Sequence, residues 1–503
     1  GPASPRAVFA PVSGSSLSAP VGGGRPPLHQ QGLAAARPGA AFDAVAEPAG
    51  MRGPDPRPGA TPGVTHRRVL TLAVPVMLSN ATVPLLGAVD TGVVGQMGLA
   101  APIGAVSLGG VLLSAIYWLF GFLRMGTAGL AAQAQGAGDA VDGGAVLGRA
   151  LLTALGAGVL LVLLQAPLLA LIMMSSPASE AVEALAETYI GIRIWAAPAA
   201  ISVFALTGWL IGQGRTGAVL TLQLLMNGVN AALSVWLGPG LGWGVAGAAI
   251  ATAVAEGTGA ILGLWLCRAA FRGTAWRTAA RLFDHVALRR LAGINGDILL
   301  RSLLLEVSII SFVLFGAGFG DVALAANQIL LQFLLIAANA IDGFAIAAEA
   351  LVGQAMGARD RAGLRRAAER AGLWGMVCGL TLAAGFWLAG PAVIGLMTTV
   401  PDVRAVAENT LIWMALVPLL AAPAFILDGI FIGATETRVL RNAMLQSFAI
   451  FVLALVPALL ILGNPGLWVA QLVFFVARGV VLYRRYPALE ARAGPGSRHA
   501  DPL

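Results

Sequence analysis

Charged residues are scarce in this chain of 503 residues: only 11% are Asp, Glu, Lys or Arg, against about 25% in a typical soluble protein. Hydrophobic residues make up 58% of the chain, and the mean hydropathy is +0.83. This composition excludes a soluble globular protein and indicates an integral membrane protein. The apolar stretches are continuous runs and not short alternating segments, which favours spanning helices over an outer-membrane barrel.

Cysteine and histidine are also scarce. The two cysteines, Cys267 and Cys378, lie in or at the ends of apolar runs, and their spacing fits neither a disulfide framework nor a metal knuckle. All four histidines fall outside the apolar runs, which removes the usual ligands of a metal site within the membrane. We therefore predict no metal site and no cofactor, and the composition argues against a membrane metalloenzyme.

The net charge of +7 does not indicate binding to nucleic acid, because the arginines cluster in short loops between apolar runs. Loops 267–290 and 357–370 are rich in arginine, whereas loops 175–187 and 398–409 are not. The positive-inside rule therefore places the arginine-rich loops and both chain termini in the cytoplasm. We predict a multi-pass protein of the plasma membrane, which is the inner membrane in a bacterium.

The apolar runs divide the chain. Residues 1–65 are rich in Gly, Pro and Ala without helical periodicity, so we predict a disordered extension, and one interpretation places the native start at Met51. An amino-terminal lobe (66–268), a cytoplasmic linker (269–290), a carboxy-terminal lobe (291–485) and a tail (486–503) follow. The predicted spans are 69–95, 102–131, 146–174, 187–211, 218–238, 245–267, 291–317, 322–353, 371–398, 409–433, 441–462 and 466–483.

The chain repeats itself at a spacing of 221 residues. "AAQAQGAGD" (131–139) aligns with "LVGQAMGARD" (351–360), which places Asp139 on Asp360 and Gln133 on Gln354. At the same spacing, "LTGWLIGQGRT" (206–216) aligns with "LDGIFIGATET" (427–437). The prediction is an all-α membrane protein of twelve transmembrane helices, in two pseudo-twofold six-helix lobes around a central cleft. Six spans in each half give both lobes the same orientation, an arrangement suited to alternating access in a transporter.

Five motifs in order give the chain a family resemblance: "VDTGVVGQMG", "GTAGLAAQAQGAGD", "GWLIGQGRT", "MNGVNAAL" and "DGFAIAAEALVGQAMGARD". Together they resemble the multidrug and toxic compound extrusion (MATE) family, in its DinF branch, over about residues 66–485. The resemblance implies a secondary antiporter, not an enzyme, that expels cationic or amphipathic organic compounds in exchange for protons or sodium ions. The expected partners are these small compounds, the coupling ion and membrane lipid, and the expected state is a monomer.

Asp90 lies near the end of the first apolar run, in "GAVDTGVVG". A charge at the centre of a bilayer costs about 2.5–3.5 kcal/mol on insertion scales, so an acid there is expected to be functional. We predict that Asp90 is the ion-coupling carboxylate of the amino-terminal lobe. The alternative is an interfacial Asp that caps its helix or meets solvent.

Asn227 and Asn230, one helical turn apart in the fifth span, are predicted to join Asp90 in ion coupling. The resemblance assigns Asn230 to the polar cluster around Asp90. Many relatives carry a second acid four residues later, where this chain has Ser234, and this departure favours protons over sodium ions. Both asparagines have an alternative role as hydrogen-bonding contacts between helices.

The carboxy-terminal lobe carries more acids. Asp342 and Glu349 share one face of the eighth span, and Glu306 and Asp428 lie on the seventh and tenth spans. A cleft lined with acids attracts cations, so we predict that these four line a substrate cavity. Glu306 matches in context an acid of eukaryotic-type relatives. In the alternative, Arg124 of the second span pairs with Glu349 across the lobe interface.

Two glutamines of the eighth span, Gln328 and Gln332, are predicted to extend the polar lining of the cavity, together with Arg124. A lipid-linked oligosaccharide flippase of the same superfamily is the alternative function. Such clefts usually carry basic groups for pyrophosphate, whereas here only Arg124 is clearly inside a span, with Arg193 and Arg301 near span ends. A membrane-embedded prenyltransferase would need paired aspartates for Mg²⁺, and no such pair lies at a cytoplasmic span end.

Overall fold

The computed structural model describes residues 63–95, 100–174, 179–272 and 275–494, without the side chains of residues 83–91, 94–95, 100, 171–174, 275 and 279. These residues form sixteen α-helices and no strand. In chain order they are α1 (His66–Gly95), α2 (Ala100–Trp118), α3 (Phe122–Ala137), α4 (Ala140–Leu163), α5 (Gln165–Met174), α6 (Glu180–Arg193), α7 (Ala197–Gly212), α8 (Thr216–Val235), α9 (Gly244–Leu266), α10 (Ala279–Leu282), α11 (His285–Ala317), α12 (Asp321–Gly357), α13 (Arg361–Met397), α14 (Pro401–Gly433), α15 (Thr437–Leu462) and α16 (Pro465–Arg492).

Eleven spans of the described residues are long and apolar enough to cross a membrane. The thirty-residue α1, part of whose side chains lie outside the described residues, coincides with the predicted first span. The second span consists of α2 and α3, joined by a short 3₁₀ turn, and the fourth consists of α6 and α7, joined in the same way. The prediction of an all-α membrane protein is confirmed. The helices extend beyond several predicted spans, most clearly at α13, which begins at Arg361 and not at 371, and also at α6, which begins at Glu180 and not at 187.

The 221-residue repeat is visible in the packing of each lobe. In the amino-terminal lobe, Gly208 of α7 lies against the backbone of α3, and a Cβ atom on it would be 2.3 Å from the carbonyl oxygen of Arg124. In the carboxy-terminal lobe, its repeat mate Gly429 of α14 lies against α12, where the same distance to the carbonyl oxygen of Ala345 is 2.1 Å. Since only glycine permits these backbone contacts, the repeated glycines fix the same helix crossing in both lobes.

The amino-terminal lobe consists of α1–α9 and the carboxy-terminal lobe of α11–α16. The two lobes meet mainly through α1 and α3, which pack against α12, with smaller contacts from α3 to α11 and α14. One apolar cluster crosses this interface and joins Leu72 and Ala73 of α1 to Leu351 and Val352 of α12. The hydrophobic core is therefore shared between the lobes where these helices cross.

The helix ends at this interface lie together at one end of the molecule, which we call the closed end. It comprises the first residues of α1 and α11 and the last residues of α3, α7, α12 and α14. Contacts of α13 with the start of α1 and with the residues before it add to it: Trp374 donates a hydrogen bond to His66 at 3.2 Å, and Arg370 donates one to the carbonyl oxygen of Val64. Between the lobes, hydrogen bonds of the described residues concentrate at this end.

Candidate functional site

Two glutamines join the lobes at the closed end. Gln133 of α3 donates a hydrogen bond to the carbonyl oxygen of Gly433 at 3.2 Å, and Gln354 of α12 donates one to the carbonyl oxygen of Gly212 at 3.0 Å. Both acceptors are the last residues of their helices, where a carbonyl group has no partner within the helix. The donors and the acceptors are repeat mates, so the two bonds form one pseudo-twofold contact, which we call the paired latch.

Arginines hold the latch glutamines in place. Arg68, in the first turn of α1, donates to Oε1 of Gln354 at 2.7 Å, and Arg290, near the start of α11, donates to Oε1 of Gln133 at 3.3 Å. Both ends of each glutamine amide are therefore bound by the opposite lobe, where an arginine holds the oxygen and a helix end accepts from the nitrogen. This orientation follows from the amide group itself, since only the nitrogen donates and only the oxygen accepts.

Two glycines bring the backbones of α3 and α12 into direct contact beside the latch. A Cβ atom on Gly136 would lie 1.9 Å from the carbonyl oxygen of Gln354, and one on Gly357 would lie 1.9 Å from that of Gln133. These two glycines are also repeat mates. The crossing of α3 and α12 therefore excludes any side chain at either position, and the latch depends on that close approach.

In the amino-terminal lobe, the structure places only part of the predicted ion-coupling group. Asp90 belongs to α1, but its side chain lies outside the described residues. Asn230 of α8 is completely buried, and its Nδ2 donates to Oγ1 of Thr252 on α9 at 2.8 Å. Within the described part of the chain, Oδ1 of Asn230 has no hydrogen-bond partner. The ion-coupling role of Asp90 and Asn230 stays a prediction.

Asn227 contacts α1. Its Nδ2 donates to the carbonyl oxygen of Thr82 at 3.3 Å, and its Oδ1 accepts from Gln223 at 3.0 Å. This arrangement matches the alternative role of a hydrogen-bonding contact between helices. The assignment of Asn227 to ion coupling remains a prediction.

This lobe also contains an ion pair that was not predicted from the sequence. Glu256 of α9, one turn beyond Thr252, lies 2.5 Å from the guanidinium of Arg193 at the end of α6. Arg193 is only 7% exposed and also donates to the hydroxyl of Tyr189 at 3.2 Å. The sequence does contain a feature that could have indicated this pair: a single acid in the small-residue run "ATAVAEGTG". An acid inside the membrane is expected to have a charged partner.

In the carboxy-terminal lobe, Asp428 is engaged by two arginines. Its Oδ2 lies 2.5 Å from Arg301 of α11 and 3.7 Å from Arg478 of α16. Asp428 is 3% exposed and Arg478 is 1% exposed, and three phenyl rings surround the guanidinium of Arg478. Asp428 therefore faces arginines within its own lobe in this structure, and its predicted contact with a substrate stays a prediction.

Glu349 and Arg124 are not joined by an ion pair within the described residues. Glu349 is 2% exposed, and its Oε1 has no hydrogen-bond partner there, nor has Nη1 of Arg124. The charged side chains that act on Glu349 are Arg124 of the other lobe, Asp342 on its own helix, and Arg301. The structure thus brings two predicted cavity acids and Arg124 into one region, without the direct pair of the alternative.

Glu306, Gln328 and Gln332 are exposed, and no described hydrogen bond or ion pair holds them. Their predicted place in the cavity lining remains a prediction. The neighbouring Asn327 is instead a packing residue: it is buried, exchanges amide hydrogen bonds with Asn464, and accepts one from Trp468 at 3.1 Å. Among the described residues, no group of three or more His, Cys, Asp or Glu could hold a metal ion.

Two repeated bundles of apolar helices, closed together at one end and carrying acids in their interiors, define a two-lobed membrane transporter. The chain belongs to the MatE family, whose model matches residues 75–236 and 298–458, once in each lobe. Members of this family are transporters and not enzymes, as the sequence predicted.

Curated relatives cover most of the chain. DNA damage-inducible protein F of Escherichia coli (strain K12) is 39% identical over 424 residues, which are 82% of this chain and 90% of that protein. A probable multidrug resistance protein NorM of Bradyrhizobium diazoefficiens is 31% identical over 64% of this chain and 69% of its own length. The predicted resemblance to the DinF branch is therefore confirmed.

Solved structures confirm the fold. A Vibrio cholerae MATE transporter, VcmN, in its bent form has a TM-score of 0.76 with 20% identity, and covers 85% of this chain and 97% of its own. A multidrug resistance MATE family transporter described as outward-facing has a TM-score of 0.74 with 20% identity and the same coverage.

Proposed function

We propose that the protein is a secondary antiporter that exports cationic or amphipathic organic compounds in exchange for protons by alternating access. The family supplies the transport function, and several relatives are named as multidrug resistance proteins. The location that follows is the bacterial inner membrane, with both termini in the cytoplasm.

The paired latch is the observation that carries this proposal. It closes the molecule at the end where the arginine-rich loops follow α9 and α12, which the positive-inside rule assigns to the cytoplasm. The structure then corresponds to a state closed to the cytoplasm, in which a bound compound is released outward. Because the latch joins the lobes by a few hydrogen bonds at helix ends, rocking of the lobes can break it without unfolding either lobe.

Proton coupling is assigned to Asp90. Ser234 stands where the family resemblance places a second acid in many relatives, and Glu256, the carboxylate described within α9, is already neutralised by Arg193. A single carboxylate is neutralised by one proton, without the several oxygen ligands that a metal cation needs. Asp342 and Glu349 of α12 are assigned to attraction of the cationic compound.

The test is counterflow of a fluorescent organic cation in proteoliposomes that contain the purified protein. An imposed pH gradient should drive transport, whereas an imposed sodium gradient at constant pH should not. Transport driven by sodium alone would reject proton coupling, and transport under neither gradient would reject the antiporter proposal.

Asp90→Asn should bind the compound but lose transport driven by a pH gradient, because the charge that distinguishes the loaded from the unloaded state is absent. Asp90→Glu should retain part of the activity. Asp402→Asn, on an exposed first turn of α14, is the matched control and should transport as the unmodified protein does. Efflux at the unmodified rate from Asp90→Asn vesicles would assign coupling to another group.

The lipid-linked oligosaccharide flippase receives less support from the structure. A cleft for pyrophosphate needs accessible basic groups, but the buried arginines of both lobes are engaged inside them: Arg193 with Glu256, and Arg301 and Arg478 with Asp428. At the lobe interface, Arg68 and Arg290 hold the latch glutamines, and Arg124 lies near Glu349.

A further inference from the structure

The ion pair between Arg193 and Glu256 is enclosed by a cage of aromatic and polar groups. The guanidinium carbon of Arg193 lies 5.6 Å from the ring centroid of Tyr189 and 6.0 Å from that of Tyr117. The hydroxyl of Tyr189 accepts a hydrogen bond from Arg193, and the hydroxyl of Tyr117 donates one to its carbonyl oxygen at 3.2 Å. A carboxylate, a hydroxyl oxygen and two aromatic faces are the groups that bind a monovalent cation.

The cage lies inside the amino-terminal lobe, beside the polar residues predicted for ion coupling. Glu256 follows Thr252 by one turn of α9, and Thr252 accepts the hydrogen bond from Asn230. A carboxylate therefore lies near the Asn230–Thr252 contact after all, supplied by α9 and not by α8. The guanidinium of Arg193 neutralises the carboxylate of Glu256.

Arg193 is fixed in this position by the fold. It is the last residue of α6, where the span changes to a 3₁₀ turn (Ile194–Ala196) before α7. Its side chain is buried between α2, α6 and α9, and each of these helices contributes a contact through Tyr117, Tyr189 or Glu256. A planar guanidinium that contacts two aromatic rings, a hydroxyl group and a carboxylate has little freedom to leave.

We propose that the guanidinium of Arg193 is a built-in occupant of a monovalent-cation site, and that it makes the amino-terminal lobe independent of sodium ions. This inference rests on the proposed antiporter function. A fixed positive charge at Glu256 removes the second carboxylate from ion coupling and repels a metal cation from the same interior. Arg193 is thus the residue that determines which ion the lobe accepts. Removal of its side chain should open the cage to small cations.

The experiment compares Arg193→Ala, Arg193→Lys and the double variant Arg193→Ala/Glu256→Gln as purified full-length proteins in detergent. Melting temperatures are measured in NaCl, in N-methyl-D-glucamine chloride of equal ionic strength, and with millimolar guanidinium chloride. Arg193→Ala should melt lower than the unmodified protein and be restored in a saturable way by guanidinium and by Na⁺. The unmodified protein and Arg193→Lys should show no saturable response, and the double variant should not be restored.

A folded Arg193→Ala variant that gains nothing from guanidinium or Na⁺ overturns the proposal, as does equal restoration of the double variant. If Arg193→Ala yields no folded protein, Arg193→Gln replaces it, because its amide keeps a donor for Tyr189. Saturable stabilisation of the unmodified protein by Na⁺ also overturns the proposal. These melting measurements need no transport, so failure of the antiporter in counterflow remains distinguishable from failure of the cation site.

Discussion

Replacement of Gly136 or Gly357 by alanine tests whether direct backbone contact holds the closed end. A Cβ atom at either position would lie 1.9 Å from a carbonyl oxygen of the opposite helix, far inside ordinary contact at 3.4 Å. To accommodate one methyl group, α3 and α12 must separate locally by about 1.5 Å, because neither contact is with a flexible side chain.

The hydrogen bonds of the paired latch do not survive that separation. They measure 3.2 Å and 3.0 Å, so a shift of this size carries both beyond hydrogen-bonding distance. A neutral hydrogen bond contributes about 0.5–1.5 kcal/mol, and loss of both weakens the closed state by about 1–3 kcal/mol. The ratio of closed to open molecules should therefore fall by roughly 5- to 150-fold.

Distances between spin labels measure this change. Ala140 and Ala362 are exposed, follow α3 and α12 at the closed end, and belong to opposite lobes. In a cysteine-free background that carries a label at each, Gly136→Ala and Gly357→Ala should both add a population at longer distance. The two effects should be similar because the positions are repeat mates.

Gly156→Ala is the matched control. This glycine lies in α4, and a Cβ atom there meets nothing within 4 Å, so the label distances should not change. Unchanged distances in folded Gly136→Ala and Gly357→Ala would refute the contact argument. A change in all three variants would show that alanine acts through helix propensity and not through contact between α3 and α12.

Two further predictions concern the carboxy-terminal lobe. Asp428→Asn should lower the free energy of unfolding by about 3–5 kcal/mol, because it leaves buried arginines without a counter-charge. Arg301→Met should lower it less, since Arg478 remains near Asp428, and unfolding midpoints of the two variants measure the difference. Glu349→Gln should reduce export of a cationic compound more than that of a neutral one, and Arg124→Ala should be mild, as vesicle efflux will show. Folded yield restored only in the Glu349/Arg124 double variant would instead establish a direct pair.

The spans and the repeat were predictable from sequence because they depend on local properties. The length of an apolar run sets a spanning helix, and the 221-residue spacing places Gln133 on Gln354 directly. The latch itself was not predictable, because it depends on how the lobes meet. Nothing in the sequence near Gln133 indicates that its partner is the carbonyl group at the end of α14.

The position of Arg193 within its span was predicted wrongly, because hydropathy placed the start of that span too late. Hydropathy located the fourth span at 187–211, which put Arg193 near its end, but α6 begins at Glu180 and brings Arg193 well inside the span. Glu256 was not predicted as a paired acid because one acid among small residues leaves the mean hydropathy of its run nearly unchanged. Each of these two charges is stable inside the membrane because the other neutralises it. Neither sequence segment by itself indicates that the two residues pair.

The charged residues fall into two groups: those whose partners lie within one lobe, and those whose surroundings change when the lobes move during transport. The pairs of Arg193 with Glu256 and of Arg301 with Asp428 lie within single lobes, so rocking of rigid lobes leaves them intact. Glu349 lies on α12, which crosses α3 of the other lobe, and Arg124 on α3 is among the charges that act on it. Its surroundings must therefore change when the lobes move. We expect ions and cationic compounds to be bound and released by acids of this second kind, because only there does movement of the lobes alter the free energy of a charge.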